Sequence, residues 1–288
     1  MSQLTDFAEN KLVVMIRQQA WTLGASLFAG LASAASDSAI TEITGTGYAR
    51  VGISRALASW AGTQGAASTT ASTGTSHTSS NNAAINFGTA GSAWGACTHL
   101  VLFDAASAGN PVCFIPLPSG TLTVANGDPV SFAAAAISFS LGLAGGCSDY
   151  LANNLIDFIF RGQAFSFPAT LYEAIFTAAP NNAGGGTEVS GGSYARVAIA
   201  ASLANLAGTQ GAGTVVASTG TTGKTSNNAA ITFPSPTASW GALTHCAEYD
   251  ASTVGNLLFW APLNTPRTVA SGATAPVFAA ASRSITFQ

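Results

Sequence analysis

The sequence contains few ionised side chains. Its 288 residues include 9 Lys and Arg and 12 Asp and Glu, 7% of the chain, against roughly 25% in an ordinary soluble domain. With a formal net charge of −3, the chain has neither the positive field that attracts nucleic acid nor a basic stripe that lies on a membrane, so we expect neither partner. Partner chains that cover the surface would explain its neutrality, as would a host that favours Ala, Gly and Thr.

A secretion signal and a membrane span are also missing from the pattern. The segment that begins at Met1 lacks the positive stretch and the apolar stretch of a signal peptide. The best membrane candidate, residues 12–35, is interrupted by Arg17, Gln18 and Gln19, and its uninterrupted part is shorter than the ~20 residues that cross a bilayer. We predict no signal peptide and no transmembrane segment.

Metal and disulfide patterns are absent as well. The four cysteines form no CxxC pair and have no His at ligand spacing, which argues against zinc and against a disulfide framework. We expect them to be small apolar side chains in a reducing compartment. They are Cys97, Cys113, Cys147 and Cys246.

Catalytic signatures are missing too. The chain has no GxSxG, HExxH or DxDxDG motif, and Gly184 to Gly186 lacks the Lys-Ser/Thr pair of a phosphate-binding loop. The sequence nominates no catalytic, cofactor-binding or metal-binding residue, and we predict that the protein is not an enzyme. A glycan-degrading enzyme would need two carboxylates that face each other across a cleft, roughly 5 to 10 Å apart.

The most informative feature that is present is an internal repeat. Tyr48 to Val51 recurs as Tyr194 to Val197, 146 residues later. Further blocks recur at the same offset, which chance would not produce, so the chain is a tandem duplication. The paired blocks begin at Ala61 and Ala207, at Ser80 and Ser226, at Trp94 and Trp240, and at Phe103 and Tyr249.

The repeat divides the chain into two modules. We predict one at residues 1–143, a second at residues 147–288, and a short Gly-rich joint at residues 144–146. A period near 146 residues is too long for a solenoid unit that depends on its neighbours for burial. Each module is therefore expected to be a complete domain.

Each module begins with a predicted helix and continues as short strands. In the second module, Ser148 or Asp149 can cap a helix that Gly162 ends. Gly191 and Gly192 indicate a tight hairpin across residues 189–194. We predict a mainly β protein with one N-terminal helix per copy, built as two tandem domains that are like β-sandwiches or jelly rolls. The predicted strands of the second module include 170–176, 229–233, 244–249, 257–261 and 284–287.

Four charged residues repeat on either side of the predicted hairpins. Glu42 and Arg50 in the first copy, and Glu188 and Arg196 in the second, are each eight residues apart. The hairpin offers no second acid for glycoside cleavage, so an ion pair fits better. That pair either fixes the hairpin within its copy or joins one subunit to the next.

Other repeated polar residues favour structural roles. Asp104 and Asp250 each precede an Asn by six residues, which indicates a turn rather than a calcium loop, because calcium loops contain several carboxylates. His99 and His245 lack the partners of a catalytic base. We expect each of them to pack and to donate one hydrogen bond.

Trp94 and Trp240 allow a second function to be considered. Aromatic residues at strand spacing are usually core residues, and we interpret them so. If these rings were exposed, they would form a carbohydrate-binding or receptor-binding surface together with polar loops such as Thr63 to Asn82, as in an adhesin.

The second copy also resembles a known family. The resemblance lies in residues 150–162 (YLANNLIDFIFRG), 167–172 (FPATLY), 184–196 (GGGTEVSGGSYAR), Trp240-Gly241 and 250–258. In this combination they are similar to small virion proteins of tailed bacteriophages, often labelled tail fibre proteins, whose members look like a single copy of this module. The resemblance covers nearly all of residues 148–288 and, more loosely, residues 4–142.

The resemblance implies a non-enzymatic structural component of a tailed-phage virion, assembled in the bacterial host cytoplasm. It would decorate or cement the capsid lattice, or form a tail-associated fibre module, and its partners would be other virion proteins and further copies of itself, for example in a trimer. The first copy has Leu23-Gly24 where the second has Phe167-Pro168, so we expect the copies to share a fold and to differ in contacts. One chain would then fill two inequivalent lattice positions, and three chains would mimic a sixfold ring.

Overall fold

A computed structural model describes residues 3–141 and 146–287 of the chain. The predicted joint at 144–146 lies outside the described residues, apart from Gly146. The described part is mainly β with one helix at the start of each copy, which confirms the predicted fold class.

The elements repeat in the same order in the two copies. The first copy contains α1 (Asp6–Ile16), β1 (Ser26–Ala35), β2 (Ile40–Glu42), β3 (Val51–Ser54), β4 (Thr78–Ser80), β5 (Ile85–Thr89), β6 (Gly95–Cys97), β7 (His99–Phe103), β8 (Pro111–Pro116), β9 (Leu122–Val124), β10 (Pro129–Phe132) and β11 (Ser138–Ser140). The second contains α2 (Asp149–Arg161), β12 (Thr170–Ala178), β13 (Thr187–Glu188), β14 (Val197–Ala200), β15 (Lys224–Ser226), β16 (Ile231–Thr232), β17 (Gly241–Tyr249), β18 (Leu257–Val269), β19 (Val277–Phe278) and β20 (Ser284–Thr286).

The helix boundaries follow from capping residues. Ser148 is the N-cap of α2, and its hydroxyl accepts a hydrogen bond from the Leu151 amide at 3.1 Å. Gly162 ends the helix with a φ of 68°, a left-handed conformation that glycine adopts at little cost. Thr5 caps α1 in the same way, by accepting from the Ala8 amide. Both predicted boundaries of the second helix are confirmed.

Each copy contains one five-stranded antiparallel sheet. The strand order is β2-β1-β7-β8 in the first copy and β13-β12-β17-β18 in the second, with β3 and β14 added to β1 and β12. The registers correspond, because Phe28 lies opposite Phe103 and Tyr172 lies opposite Tyr249. The remaining strands form two-stranded sheets that complete each copy: β10 with β5, β11 with β4, β6 with β9, β15 with β20, and β16 with β19.

The hairpin predicted at residues 189–194 is wrong. The flanking strands β13 and β14 do not pair with each other, and both pair antiparallel with β12 along one edge. Residues 189–196 therefore leave that edge and rejoin it, and residues 43–50 do the same between β2 and β3. We call residues 43–50 the first edge loop and residues 189–196 the second edge loop. The glycine pair does supply the turn, with φ of 71° at Gly191 and 54° at Gly192.

The largest hydrophobic core contains residues of both copies. Leu12 and Leu31 of the first copy and Leu155 and Phe160 of the second are fully buried in it. The segment before each helix pairs with its own sheet through the isolated bridges Leu4–Cys113 and Cys147–Phe259. The helices thus start on their own sheets and run to the junction between the copies.

Candidate functional site

The repeated Glu and Arg residues form an ion pair within each copy. Arg50 Nη2 lies 2.7 Å from Glu42 Oε2, and Arg50 Nε lies 2.8 Å from Glu42 Oε1. Arg50 Nη1 donates to the carbonyls of Ala105 and Ala108, and the guanidinium stacks on the Phe103 ring at 3.4 Å. Since Glu42 directly precedes the first edge loop and Arg50 is its last residue, the pair closes the base of that loop.

The second copy repeats this arrangement. Arg196 contacts both carboxylate oxygens of Glu188, at 2.7 and 2.8 Å, and stacks on the Tyr249 ring at 3.6 Å. The Tyr194 hydroxyl donates to Glu188 at 2.8 Å, and burial raises its pKa, which keeps it a neutral donor. The geometry is that of a clamp inside each copy rather than a contact between subunits.

Trp94 and Trp240 anchor the tips of the edge loops. Trp94 is 5% exposed and its Nε1 donates to the Thr46 carbonyl at 3.1 Å. Trp240 is 4% exposed and donates to the Gly192 carbonyl at 3.0 Å. Both rings are core residues, so they do not form the exposed sugar-stacking surface considered above.

The repeated Asp residues close loops, as the turn interpretation expects. Asp104 accepts hydrogen bonds from the backbone N–H and the side-chain amide of Asn110, at 2.6 and 2.9 Å. Asp250 holds Asn256 in the same way. These carboxylates therefore stabilise the loops that also supply carbonyl acceptors to the two clamps.

The matched histidines have structural surroundings. The His99 ring packs on Phe114 and the His245 ring packs on Trp260. In each, Nδ1 lies within hydrogen-bond distance of the hydroxyl of the preceding threonine. Burial lowers the pKa of His99, in keeping with a packed, neutral ring.

The helix of the second copy ends inside a loop of the first. We call residues 57–77 the first acceptor loop and residues 203–223 the second. Arg161, at the end of α2, is fully buried there. Its Nε donates to the Trp60 carbonyl at 2.9 Å and its Nη2 to the Thr70 carbonyl at 2.6 Å. Its Nη1 pairs with Asp157 at 2.7 Å, and Asp157 also accepts from the N–H and hydroxyl of Ser72.

The helix of the first copy enters the second acceptor loop in the reciprocal way. Arg17, just after α1, is fully buried. Its Nη1 donates to the Val216 carbonyl at 2.7 Å and to the Ser218 hydroxyl at 3.3 Å, and its Nη2 donates to the carbonyls of Leu203 and Thr214 at 3.2 Å. Burial lowers the pKa of Arg17, and no carboxylate in the described part of the chain forms an ion pair with it.

An Asn on each helix makes a second matched contact. Asn153 accepts from the Thr63 hydroxyl, and Asn10 accepts from the Thr209 hydroxyl. Thus α1 contacts the second acceptor loop in the same way as α2 contacts the first acceptor loop. Contacts of this kind are isologous, which is the signature of a two-fold relation between the copies.

Two residues of the first copy contact α2 through side-chain groups that the second copy lacks. His77 Nε2 lies 2.8 Å from Asp149 Oδ1, at the start of α2. Arg55 Nε donates to the Ile159 carbonyl at 2.8 Å, where a cation faces the free carbonyls of a helix C-terminus. The second copy has Gly223 and Ala201 at the corresponding positions. The helix of the second copy is therefore held by more charged groups than that of the first.

A buried charge cluster distinguishes the second copy. Glu173 lies opposite Glu248 on paired strands. Arg283 Nε is 3.0 Å from Glu173, and Arg283 Nη2 is 3.8 Å from Glu248. Burial raises the pKa of both carboxyls, and the charge of Arg283 opposes that shift. The registers put Ala29, Leu102 and Ile137 at the corresponding positions of the first copy.

The paired carboxylates do not form the cleft that glycoside cleavage requires. Their side chains are 0% and 4% exposed and share one guanidinium in the interior. A neighbouring cavity of about 490 Å³ is lined by Arg283 and by apolar residues such as Leu243 and Phe278, with neither glutamate in its lining. A substrate in that cavity would not lie between two acids.

Residues 3–141 and 146–287 contain no group of three His, Cys, Asp or Glu side chains with the geometry to bind a metal ion. They also contain no helix with the length and apolar character to cross a membrane.

Sequence reasoning missed the residues that join the copies. Arg17 directly follows α1 and Arg161 is the last residue of α2, and the acceptor loops contain the repeated block AGTQGA. An arginine ends the helix region of both copies, but no acid near it is repeated. This pattern was a signal that these arginines bind backbone carbonyls in the interior. The destination of each helix, however, is set by packing across the whole chain.

A comparison with known families supports the resemblance noted in the sequence. A family described as podophage GP4 fiber I protein gp80 matches residues 3–140 and matches again at residues 146–286. No curated protein matches the chain. Because the two matches cover nearly the whole sequence, the chain belongs to this podophage fibre protein family and carries its module twice in tandem.

Proposed function

We propose that this protein is a non-enzymatic subunit of a tail fibre, in which the two modules act as one two-fold-related unit. The observation that carries the proposal is the family match over both copies, which identifies the chain as a tailed-phage structural component. The small number of charges agrees with a surface covered by other virion proteins.

The geometry of the polar residues supports a structural role. The repeated Glu–Arg pairs close loops, and the two acids on paired strands lie buried with one arginine. Each of these acids lies beside an arginine inside the fold. Their arrangement fits structural packing better than catalysis, because catalytic acids must contact a substrate.

The residues first considered for sugar binding have structural roles inside the fold. Trp94 and Trp240 anchor the edge loops. The polar segment Thr63 to Asn82 largely overlaps the first acceptor loop, where Thr63 and Ser72 bind the helix of the second copy. A receptor-binding surface on this chain would therefore need other residues.

Because the chain belongs to a fibre protein family, a location in the tail is favoured over one on the capsid lattice. The reciprocal helix contacts also bear on assembly, because isologous contacts relate two copies by a two-fold axis, whereas successive positions of a ring are related head to tail. We infer that the two copies of one chain are two-fold partners and do not fill consecutive positions of a sixfold ring.

The test is to purify particles and quantify this chain by mass spectrometry, in intact virions and in separated heads and tails. The proposal predicts a fixed copy number per particle, recovered with tails. Recovery only from infected-cell lysate would refute a virion role, and recovery only with heads would refute the tail fibre.

A further inference from the structure

We propose that each acceptor loop is a recognition surface for the helix of another module, so that the two copies bind each other without the peptide joint. The tandem chain is then the covalently joined form of a helix-exchanged dimer. This proposal rests on contacts between the copies and is independent of the tail location.

The first step is that each acceptor loop supplies a matching set of partners for a helix from the other copy. The first loop offers the Thr63 hydroxyl, the Ser72 hydroxyl and the Thr70 carbonyl, which contact Asn153, Asp157 and Arg161. The second loop presents the Thr209 hydroxyl, the Ser218 hydroxyl and the Val216 carbonyl. The donors and acceptors sit at equivalent positions, 146 residues apart.

The second step is that the cations which make these contacts are buried. Both arginines are 0% exposed. A module whose loop lacked a helix would lose the bond from Arg161 to the carbonyl of buried Trp60, and a buried carbonyl without a donor is costly. The helix therefore completes the hydrogen bonding of the neighbouring module.

The third step is that aromatic rings pack across the junction between the copies. Phe160 of α2 packs on Trp60 and Phe139 of the first copy, with ring centroids 5.4 and 5.7 Å apart. Trp21 of the first copy packs on Phe158 of the second at 5.7 Å. Separating the copies would expose these rings to water, which makes the junction resemble the interface of an obligate dimer.

The experiment keeps the full chain. A specific protease site replaces residues 142–145, the chain is folded, and the site is then cut. We expect both halves to stay in one particle of about the intact mass, 28.7 kDa, in size-exclusion chromatography with light scattering at micromolar concentration. Halves that separate after cutting, folded or unfolded, would overturn the proposal.

A matched pair of variants identifies the surface responsible. Arg161→Met in the cleavable chain removes the guanidinium from the first acceptor loop, and we expect the dissociation constant between the halves to rise by about a hundredfold or more. Arg50→Met removes the same group from a clamp within one copy and should leave that constant within about threefold of the parent.

Equal weakening by the two variants would show that the acceptor loop is not the recognition surface and would overturn the proposal. The cut parent chain decides whether the halves bind each other even if a variant fails to fold. Loss of the chain from particles would refute the tail fibre function and leave this result unchanged, so the two failures are distinguishable.

Discussion

Replacing the two buried arginines one at a time tests how the copies are held together. Arg161→Met keeps an unbranched side chain in the first acceptor loop but removes the cation that pairs with Asp157 at 2.7 Å. The Asp157 carboxylate would keep only its two hydrogen bonds from Ser72. Breaking a buried ion pair from one side costs about 3–5 kcal/mol, and we expect a loss of unfolding free energy in that range.

Arg17→Met is the matched change in the other direction. Arg17 is equally buried, but within residues 3–141 and 146–287 it donates only to carbonyls and to the Ser218 hydroxyl, and its Nε has no hydrogen-bond partner there. Its removal leaves neutral acceptors unbonded, at a cost of about 1–3 kcal/mol, and also removes a buried charge that no acid balances. We expect a net loss of about 1–2 kcal/mol.

The assay is equilibrium unfolding in urea at pH 7, followed by tryptophan fluorescence and by circular dichroism. Adding Asp157→Asn to Arg161→Met should recover part of the loss, because the unpaired carboxylate disappears. Equal losses for the two single variants, or a larger loss for Arg17→Met, would refute the reasoning that the ion pair decides the difference.

Glu9, Arg283 and Gly74 each allow a further test. Glu9 is 1% exposed, and both of its carboxylate oxygens are unpaired in the part of the chain that the structure describes. Burial raises its pKa to about 8. The folded state therefore binds this proton more tightly than the unfolded state does, and it loses stability as pH rises from the ordinary pKa of 4.5. Urea titrations should show that the parent loses about 2 kcal/mol relative to Glu9→Gln between pH 5 and pH 7, and a constant difference would contradict this. Arg283→Met should lower the free energy of unfolding by about 3–5 kcal/mol, because it leaves two carboxylates that face each other. A triple variant that carries the first copy's residues, Glu173→Ala with Glu248→Leu and Arg283→Ile, should lose less. Thermal melts that rank the two variants in the opposite order would refute the comparison. Gly74→Ala should destabilise the first acceptor loop because its Cβ would meet the Thr63 carbonyl, while Gly24→Ala meets only ordinary contacts and should unfold like the parent.

The elements that were predictable have local causes. The duplication, the mainly β class and the boundaries of α2 follow from repeated blocks, from strand patterns, and from the caps at Ser148 and Gly162. The hairpin prediction failed because Gly191 and Gly192 report only a change of chain direction. The strand to which each side pairs, β12, lies earlier in the chain.

The contacts between the copies depend on positions that are far apart in sequence. Arg161 reaches Thr70 across 91 residues, and no local pattern records that separation. Glu173 and Glu248 become neighbours only when their strands pair in one register. The inward position of each glutamate in an otherwise apolar strand was the available signal for a charged partner within the core.

A map of the intact particle tests the central claim most directly. The account predicts tail-attached density that fits the whole two-module unit, with Arg161 in the first acceptor loop and Arg17 in the second. Absence of the chain from the particle, or density in which each module retains its own helix, would contradict it.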